Sequence, residues 1–575
     1  MSNKNSWFEE AQKNINKFIS QDRLGLDPFA QVYEQRRKEF SLFSLLLSEK
    51  EIESARNYIF NYDKLPQKPG DKPVDAPNLI CGKWRMAKDV AEMKSPADKR
   101  IILSRMPDSD ASDVEDALSY AQEFWKSQKW SEDTVIYRKH VVKNFSKILH
   151  YFYEDVLREI RTQIPKTRIE ADKDFWEAKR AADHMEGSAE RAMSGDVFPS
   201  LVEGHSYWKS PNLPAGVSAI FTPMNFIYGI PVIQFIGAYL VGSPFIFKGH
   251  PLGAIANTTM MRMLMAAGAN PRSVQKIEGF GKKIENLVSD KRVAIVSVTG
   301  SDATAERMQS LRGVRPVRFE GGGSNWAWVD DGFSDEELKR IAIRLTYSKL
   351  GFSSHKCTSL HGIAASKATA DKLLSYINSE MDEWKIQNPQ NETAQKIVGP
   401  CMVHQAQTAT DIQEAAAKIG ARIYRKGGKV TSGEYAENAE VIAPVVISGV
   451  IPGMKVTVNW DGRGEKVVDL MTTEFFMPIL VVSEMKNFDA FSDFCLNYNP
   501  HDLAVSIWTR DHKIISKVKS TLAGMVKIND GTDSALEWEE FGASGIGTSG
   551  NMGVGDPVAT FAIYSRKQKG RQLVF

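Results

Sequence analysis

A chain of 575 residues is too long for one ordinary domain, so two or more are expected. Hydrophobic residues at 42% and charged residues at 25% are ordinary globular composition, enough for a core of normal size. A formal net charge of +2 gives no reason to expect nucleic acid or an anionic membrane as a partner.

Residues 1–75 read as a helical extension. SLFSLLLSEKEIESARNYIF has helical periodicity and stops before the proline-rich PQKPGDKPVDAP. The opening MSNKNSWFEEAQKN has no apolar h-region, so no signal peptide is expected and a cytoplasmic chain is. LICGKWR reads as one short strand, followed by helices around Ser112–Lys129 and Val135–Gln163. From Gly216 the chain alternates. VSAIFTP, PFIFK, SVQKIEG, VAIVSVTG and PVRFEGG read as strands. Helices fall between them: the Ile227 region, LGAIANTTMMRMLMAAGAN, the segment after Gly281, and SDATAERMQSLRG. The apolar run Ile227–Phe247 is interrupted by Pro231, Gln234, Gly237, Gly242 and Pro244. It reads as a buried helix and a strand, not a membrane span.

Apolar strands alternating with helices predict an α/β fold, with a parallel sheet covered on both faces and ligands at its carboxyl ends. Those ends carry Thr222-Pro223-Met224-Asn225, Lys248 and Thr299-Gly300-Ser301. Gly545 to Gly550 spell a formal GxGxxG, but no hydrophobic strand precedes it and no helix follows, so it is rejected as a dinucleotide site.

The four cysteines, Cys81, Cys357, Cys401 and Cys495, show neither C-x-x-C spacing nor a histidine cluster, so no metal is expected. Cys357 follows His355 and Lys356, and nearby positive charge lowers a thiol pKa. In an extended segment, however, alternate residues face opposite ways, and from the thiol alone a buried structural cysteine is the better reading. Glu320 ends a strand before three glycines, as a general base or as a turn glutamate. Asn225 follows a strand and a proline, as an oxyanion donor or as a turn residue. Together a thiol, an amide donor and a base are the parts needed for covalent chemistry at a carbonyl.

From about Asn78 onward the chain resembles the aldehyde dehydrogenase superfamily. TPMNF is similar to its P-W-N-F segment, and FIFKGHP to the strand that ends in a cofactor-binding lysine. VTGSDATA is similar to T-G-S, FEGGGSN to E-L-G-G-K, SSHKCTS to G-Q-x-C, and TTEFFMPIL to E-E-x-F-G-P-x-L. Ser354, His355, Gly321, Met477 and the Phe541–Ser544 segment depart from those patterns. Length and extension look most like the pyrroline-carboxylate dehydrogenase branch, and ring-degradation semialdehyde dehydrogenases are also similar.

The resemblance implies a Rossmann-type NAD(P)-binding domain over 76–330, with an oligomerisation excursion at about 195–213. It implies a catalytic α/β domain over 331–545 and a C-terminal β oligomerisation segment, 546–575, whose TFAIYSRKQKGRQLV alternates like an edge strand. Cys357, Glu320 and Asn225 become catalytic. NAD or NADP is held by Thr222, Pro223, Met224, Lys248, His250, Thr299, Gly300, Ser301, Gly322, Glu474 and Phe476. A small aldehyde is oxidised by a homodimer or homotetramer. Pro251 stands where many members carry a glutamate that repels a 2′-phosphate, so NADP is expected to be accepted. Two other readings stay open: a CoA-acylating reductase, and a catalytically silent scaffold.

Overall fold

The computed structural model describes residues 6–573 apart from 40–45, 193–195, 200–204, 210–212, 316, 392–395, 434, 519–522, 536–538, 540 and 567–568. Val217–Phe221 is buried along its whole length because it is a central strand. It pairs in parallel with Phe245–Lys248 on one side and Val293–Thr299 on the other. Val274–Lys276 and Val317–Glu320 extend the sheet in parallel. LICGKWR is a hairpin, not one strand. Asn78–Ile80 and Lys83–Arg85 pair antiparallel across Cys81 and Gly82, whose φ values of 53° and 70° suit a two-residue primed turn. This hairpin and Gly25–Leu26 complete an eight-stranded sheet at one edge.

The helices Gly229–Val241 and Ala254–Ala267 are buried essentially throughout, which is why their sequences are apolar on every face. Each ends at a left-handed glycine, Gly242 or Gly268. Among the described residues no helix is long and apolar enough to cross a membrane. The predicted helix Val135–Gln163 is broken at Phe152 into Val135–Tyr151 and Tyr153–Gln163. The 25-residue helix Arg168–Ala192 was not anticipated.

In the N-terminal extension, Ser6–Ile19, Pro28–Lys38, Glu49–Ser54 and Arg56–Ile59 are helical, while 40–45 of the predicted apolar helix lie outside the described residues. Trp7, Phe18, Phe29 and Tyr58 join one apolar core with Met260 and Leu264. Arg262, fully buried, donates to the Tyr58 carbonyl at 2.9 Å and the Arg23 carbonyl at 3.2 Å, and lies 4.7 Å from the Trp84 ring.

A second, seven-stranded sheet holds Asn325–Val329, Leu360–Ala365, Ile479–Glu484, Val445–Ser448, Ala504–Trp508 and Met525–Ile528 in parallel, with Arg422–Arg425 antiparallel at one edge. The C-terminal alternation is only partly strand. Asp556 accepts from Ala559 N at 2.9 Å and caps the helix Pro557–Ile563. Thr560 on this helix packs so close to Gly237 that a Cβ there would overlap it. Lys569–Leu573 then pairs antiparallel with His205–Lys209, which pairs with Asp196–Pro199.

Candidate active site

The helix Asp335–Leu350 stops where Phe352, Ser353 and Ser354 adopt φ values of 57°, 53° and 66°. Left-handed backbone costs a non-glycine residue roughly 1–2 kcal/mol each, so the run persists only because its surroundings fix it. Phe352 N donates to Glu170 Oε1 at 2.5 Å, Ser354 Oγ to the Lys349 carbonyl at 2.7 Å, and Gly399 N to Ser353 Oγ at 2.8 Å. Asn225, buried at the end of the strand Val217–Phe221, donates its Nδ2 to the His355 carbonyl at 3.1 Å. Asn325 Nδ2 reaches the Cys357 carbonyl at 2.7 Å and the Ser359 carbonyl at 2.9 Å. Two asparagines from the two sheets therefore hold the loop that presents Cys357.

Cys357 is half-buried. Burial, then the Glu474, Glu320 and Glu177 carboxylates, push its thiol far above the ordinary range. The basic neighbours do not offset this. Burial pushes His355 down to about 4, so it is neutral at pH 7. The Lys356 ammonium is paired at 2.5 Å with Asp533, which also takes Arg344 at 2.7 Å. Adjacency in sequence to His355 and Lys356 therefore does not lower the thiol pKa.

Glu320 is 1% exposed and its Oε1 accepts from Met552 N at 3.0 Å and Gly553 N at 2.8 Å. Gly321 N donates to the Ser549 carbonyl at 2.8 Å, and Glu320 forms a bridge with Gly550. The GxGxxG match thus ends beside this carboxylate: Gly550 has φ 131°, and a Cβ there would overlap the Phe319 carbonyl.

The strand ends differ in what they present. Thr222 Oγ1 is buried and has no hydrogen-bond partner among the described residues, and Pro223 and Met224 beside it are half-buried. Thr299 Oγ1 instead accepts from Gln234 Nε2 at 2.8 Å, so its hydroxyl is engaged by a helix of the sheet. Gly300 N donates to the Glu320 carbonyl at 3.0 Å, and Ser301 Oγ lies 3.0 Å from Thr304 Oγ1 at the start of the helix Asp302–Arg312. His250 accepts from Leu252 N at 3.2 Å, and burial pushes it down to about 3, so it is no cation. Phe476 is left-handed at φ 53°, its ring 5.4 Å from that of His355. Met477, a departure from the family pattern, is a buried core residue.

Glu474 Oε1 accepts from Gly323 N at 3.4 Å. Burial first, then Asp302, pushes its carboxyl up to about 8. Gly322 has no room for a side chain, because a Cβ would overlap the Glu474 carboxylate. Gly322→Ala is expected to displace that flexible carboxylate at a stability cost of about 1 kcal/mol. Dinucleotide affinity should fall about fivefold, roughly one lost hydrogen bond of about 1 kcal/mol to a carboxyl that is largely protonated at pH 7. Unchanged affinity by equilibrium dialysis would separate Glu474 from the ligand.

A parallel sheet with polar strand ends, facing a second sheet whose loop carries a thiol near two carboxylates, is the layout of a dinucleotide-dependent oxidoreductase acting on a carbonyl. The model of the aldehyde dehydrogenase family matches residues 84–564, and the chain belongs to that family. It is an NAD(P)-dependent oxidoreductase acting on aldehydes. Malonate-semialdehyde dehydrogenase 2 of Oceanobacillus iheyensis is 23% identical over 475 residues, 81% of this chain and 91% of that one. A probable acylating methylmalonate-semialdehyde/malonate-semialdehyde dehydrogenase of Anopheles gambiae is 23% identical over 78% of this chain and 82% of its own. The structure of a putative methylmalonate-semialdehyde dehydrogenase from Sinorhizobium meliloti, complexed with NAD, superimposes with a TM-score of 0.77 at 18% identity, covering 88% of this chain and 98% of the other.

Proposed function

We propose that this chain oxidises a small semialdehyde to its carboxylate, with Cys357 as the nucleophile. The observation that carries the reading is the Cys357 loop, fixed by Asn225 and Asn325 while Glu320 and Glu474 act on its thiol. The semialdehyde follows from the names of the relatives.

The buried Thr222 hydroxyl, the Gly322–Glu474 contact and Lys248 fit a dinucleotide, which supplies the hydride acceptor when bound. Cys357 Sγ attacks the carbonyl carbon as its proton passes to solvent water. The resulting oxyanion accepts from Asn225 Nδ2 and the Cys357 backbone N–H. Loss of hydride leaves a thioester on Sγ. Glu320 takes a proton from water, the water oxygen attacks the acyl carbon, and Sγ departs as the thiolate. The acylating relative favours a second reading in which CoA replaces water, and the retained base Glu320 weighs against it. We place the enzyme in the cytoplasm as a homodimer or homotetramer. The edge position of Lys569–Leu573 in its sheet supports self-assembly.

A panel of aldehydes with NAD and NADP, with and without CoA, tests this. Nicotinamide reduction with a semialdehyde, yielding free acid, is expected. No reduction with any pair overturns it in favour of a silent scaffold, and dependence on CoA selects the acylating route. The high Glu474 pKa gives a further expectation. Above about 8 its ionised carboxyl is acceptor-only, and it binds ribose hydroxyls better than the acid does. The NAD dissociation constant should fall about fivefold from pH 7 to 9, roughly 1 kcal/mol. The slope should vanish in Glu474→Gln. A flat wild-type profile rules this out.

A further inference from the structure

We infer that Asp174 is a positioning residue of the oxyanion site: it fixes Asn225 against the Cys357 loop, which the same helix holds through Glu170. The inference rests on the reading above that Asn225 and the Cys357 backbone N–H meet the oxyanion.

Asn225 and Cys357 come from different sheets. One 3.1 Å bond links Asn225 Nδ2 to the loop, at the His355 carbonyl. It uses one of the two amide hydrogens and leaves the other for an oxyanion. A single bond lets an amide pivot, so its direction has to be set from behind.

The helix Arg168–Ala192 supplies that support from its first two turns. Glu170 Oε2 accepts from Thr167 N at 2.9 Å, while Glu170 N donates to Thr167 Oγ1 at 3.3 Å, so the carboxylate is locked in a reciprocal cap. Its Oε1 is left to take Phe352 N at the head of the Cys357 loop. Asp174 lies one turn further along the same face and is 0% exposed. Its Oδ1 accepts from Tyr228 N at 3.2 Å and Gly229 N at 2.8 Å. Its Oδ2 accepts from Ile227 N at 3.1 Å and pairs with Lys166 Nζ at 3.1 Å. One carboxylate thus takes three successive N–H groups at the start of the helix Gly229–Val241, just past Asn225, where Tyr228 offers no side-chain cap of its own.

The approach is close: a Cβ on Gly229 would overlap the Glu177 side chain of the same supporting helix. Between the two anchors the Phe226 and Phe352 rings stack 5.2 Å apart, and Lys166 Nζ lies 4.1 Å from the first and 5.2 Å from the second. Without Asp174 the turn that carries Asn225 loses its anchor while Glu170 still holds the thiol loop. A shift of about 1 Å between reacting groups costs about a hundredfold in rate.

Single-turnover reduction of NAD with the fastest aldehyde of the panel above, arranged as a double-mutant cycle, tests this. Asp174→Asn should slow reduction between about ten- and a hundredfold, with KM for the aldehyde and the NAD dissociation constant within about twofold of wild type. Asn225→Ala should slow it about 10²–10³-fold. The two combined should be no more than about threefold slower than Asn225→Ala alone, because without the amide nothing is left to aim. A merely structural part predicts losses that multiply. Because Asp174→Asn strands the Lys166 ammonium, the paired Asp174→Asn/Lys166→Met variant removes both charges and goes through the same cycle. Multiplying losses in both variants, wild-type rates in both, or loss of fold in both by circular dichroism overturns the role of Asp174. An Asn225→Ala variant as fast as wild type would instead remove the oxyanion reading on which the inference rests.

Discussion

Cys357→Ala is expected to lower turnover by at least about four orders of magnitude, the scale on which loss of a covalent nucleophile is felt. Dinucleotide affinity and folding should persist, because the removed sulfur is small and half-buried. Cys81→Ala, Cys401→Ala and Cys495→Ala should each leave turnover within a few-fold of wild type. The raised thiol pKa adds a second readout. Alkylation of the Cys357 peptide by iodoacetamide, followed by mass spectrometry, should be slow at pH 7. It should climb about tenfold per pH unit through pH 9, as the thiolate fraction does below its pKa. A plateau below pH 8 would mean that the thiol is already activated at rest. Turnover in the alanine variant would remove Cys357 from the chemistry altogether.

Glu320→Gln separates the two halves of the reaction. The amide oxygen can still accept from Met552 N and Gly553 N, so the local fold should hold. It cannot take a proton from water. General-base catalysis is worth about 10²–10⁴, and that loss should fall on thioester hydrolysis. Rapid mixing should show a burst of reduced nicotinamide close to one per site, then a steady state slower by that factor. Equal loss of burst and steady state would assign Glu320 an earlier or purely structural part.

Local pattern was enough to read the parallel sheet. Strands such as Val217–Phe221 are apolar on both faces and end in turn residues, so Thr222, Asn225 and Lys248 could be placed at one edge without any tertiary contact. The residues that escaped notice act across the fold. Asn325 stands in the quoted stretch GGGSNW, yet its partners are the carbonyls of Cys357 and Ser359, and backbone groups carry no sequence signature. The bond from Gln234 Nε2 to Thr299 Oγ1 was equally invisible, because a short motif does not say which side of a strand end its hydroxyl faces. TFAI alternates like a strand and became helix because Asp556 caps it and Pro557 opens it, a start signal that was present in the sequence and outweighed by alternation.

The hold of Met552 and Gly553 on Glu320 spans 232 and 233 residues of chain. During synthesis the first sheet can collapse early, since its strands follow one another closely, but its terminal glutamate then waits for a partner not yet translated. At about 5–20 residues per second the wait is on the order of ten to fifty seconds. Through that interval the nascent chain owns a nearly complete dinucleotide fold and an unfinished reaction centre. Catalytic competence should therefore appear in one late step of biogenesis, and ribosome-stalled chains ending before residue 549 should be inert even where their first sheet is formed.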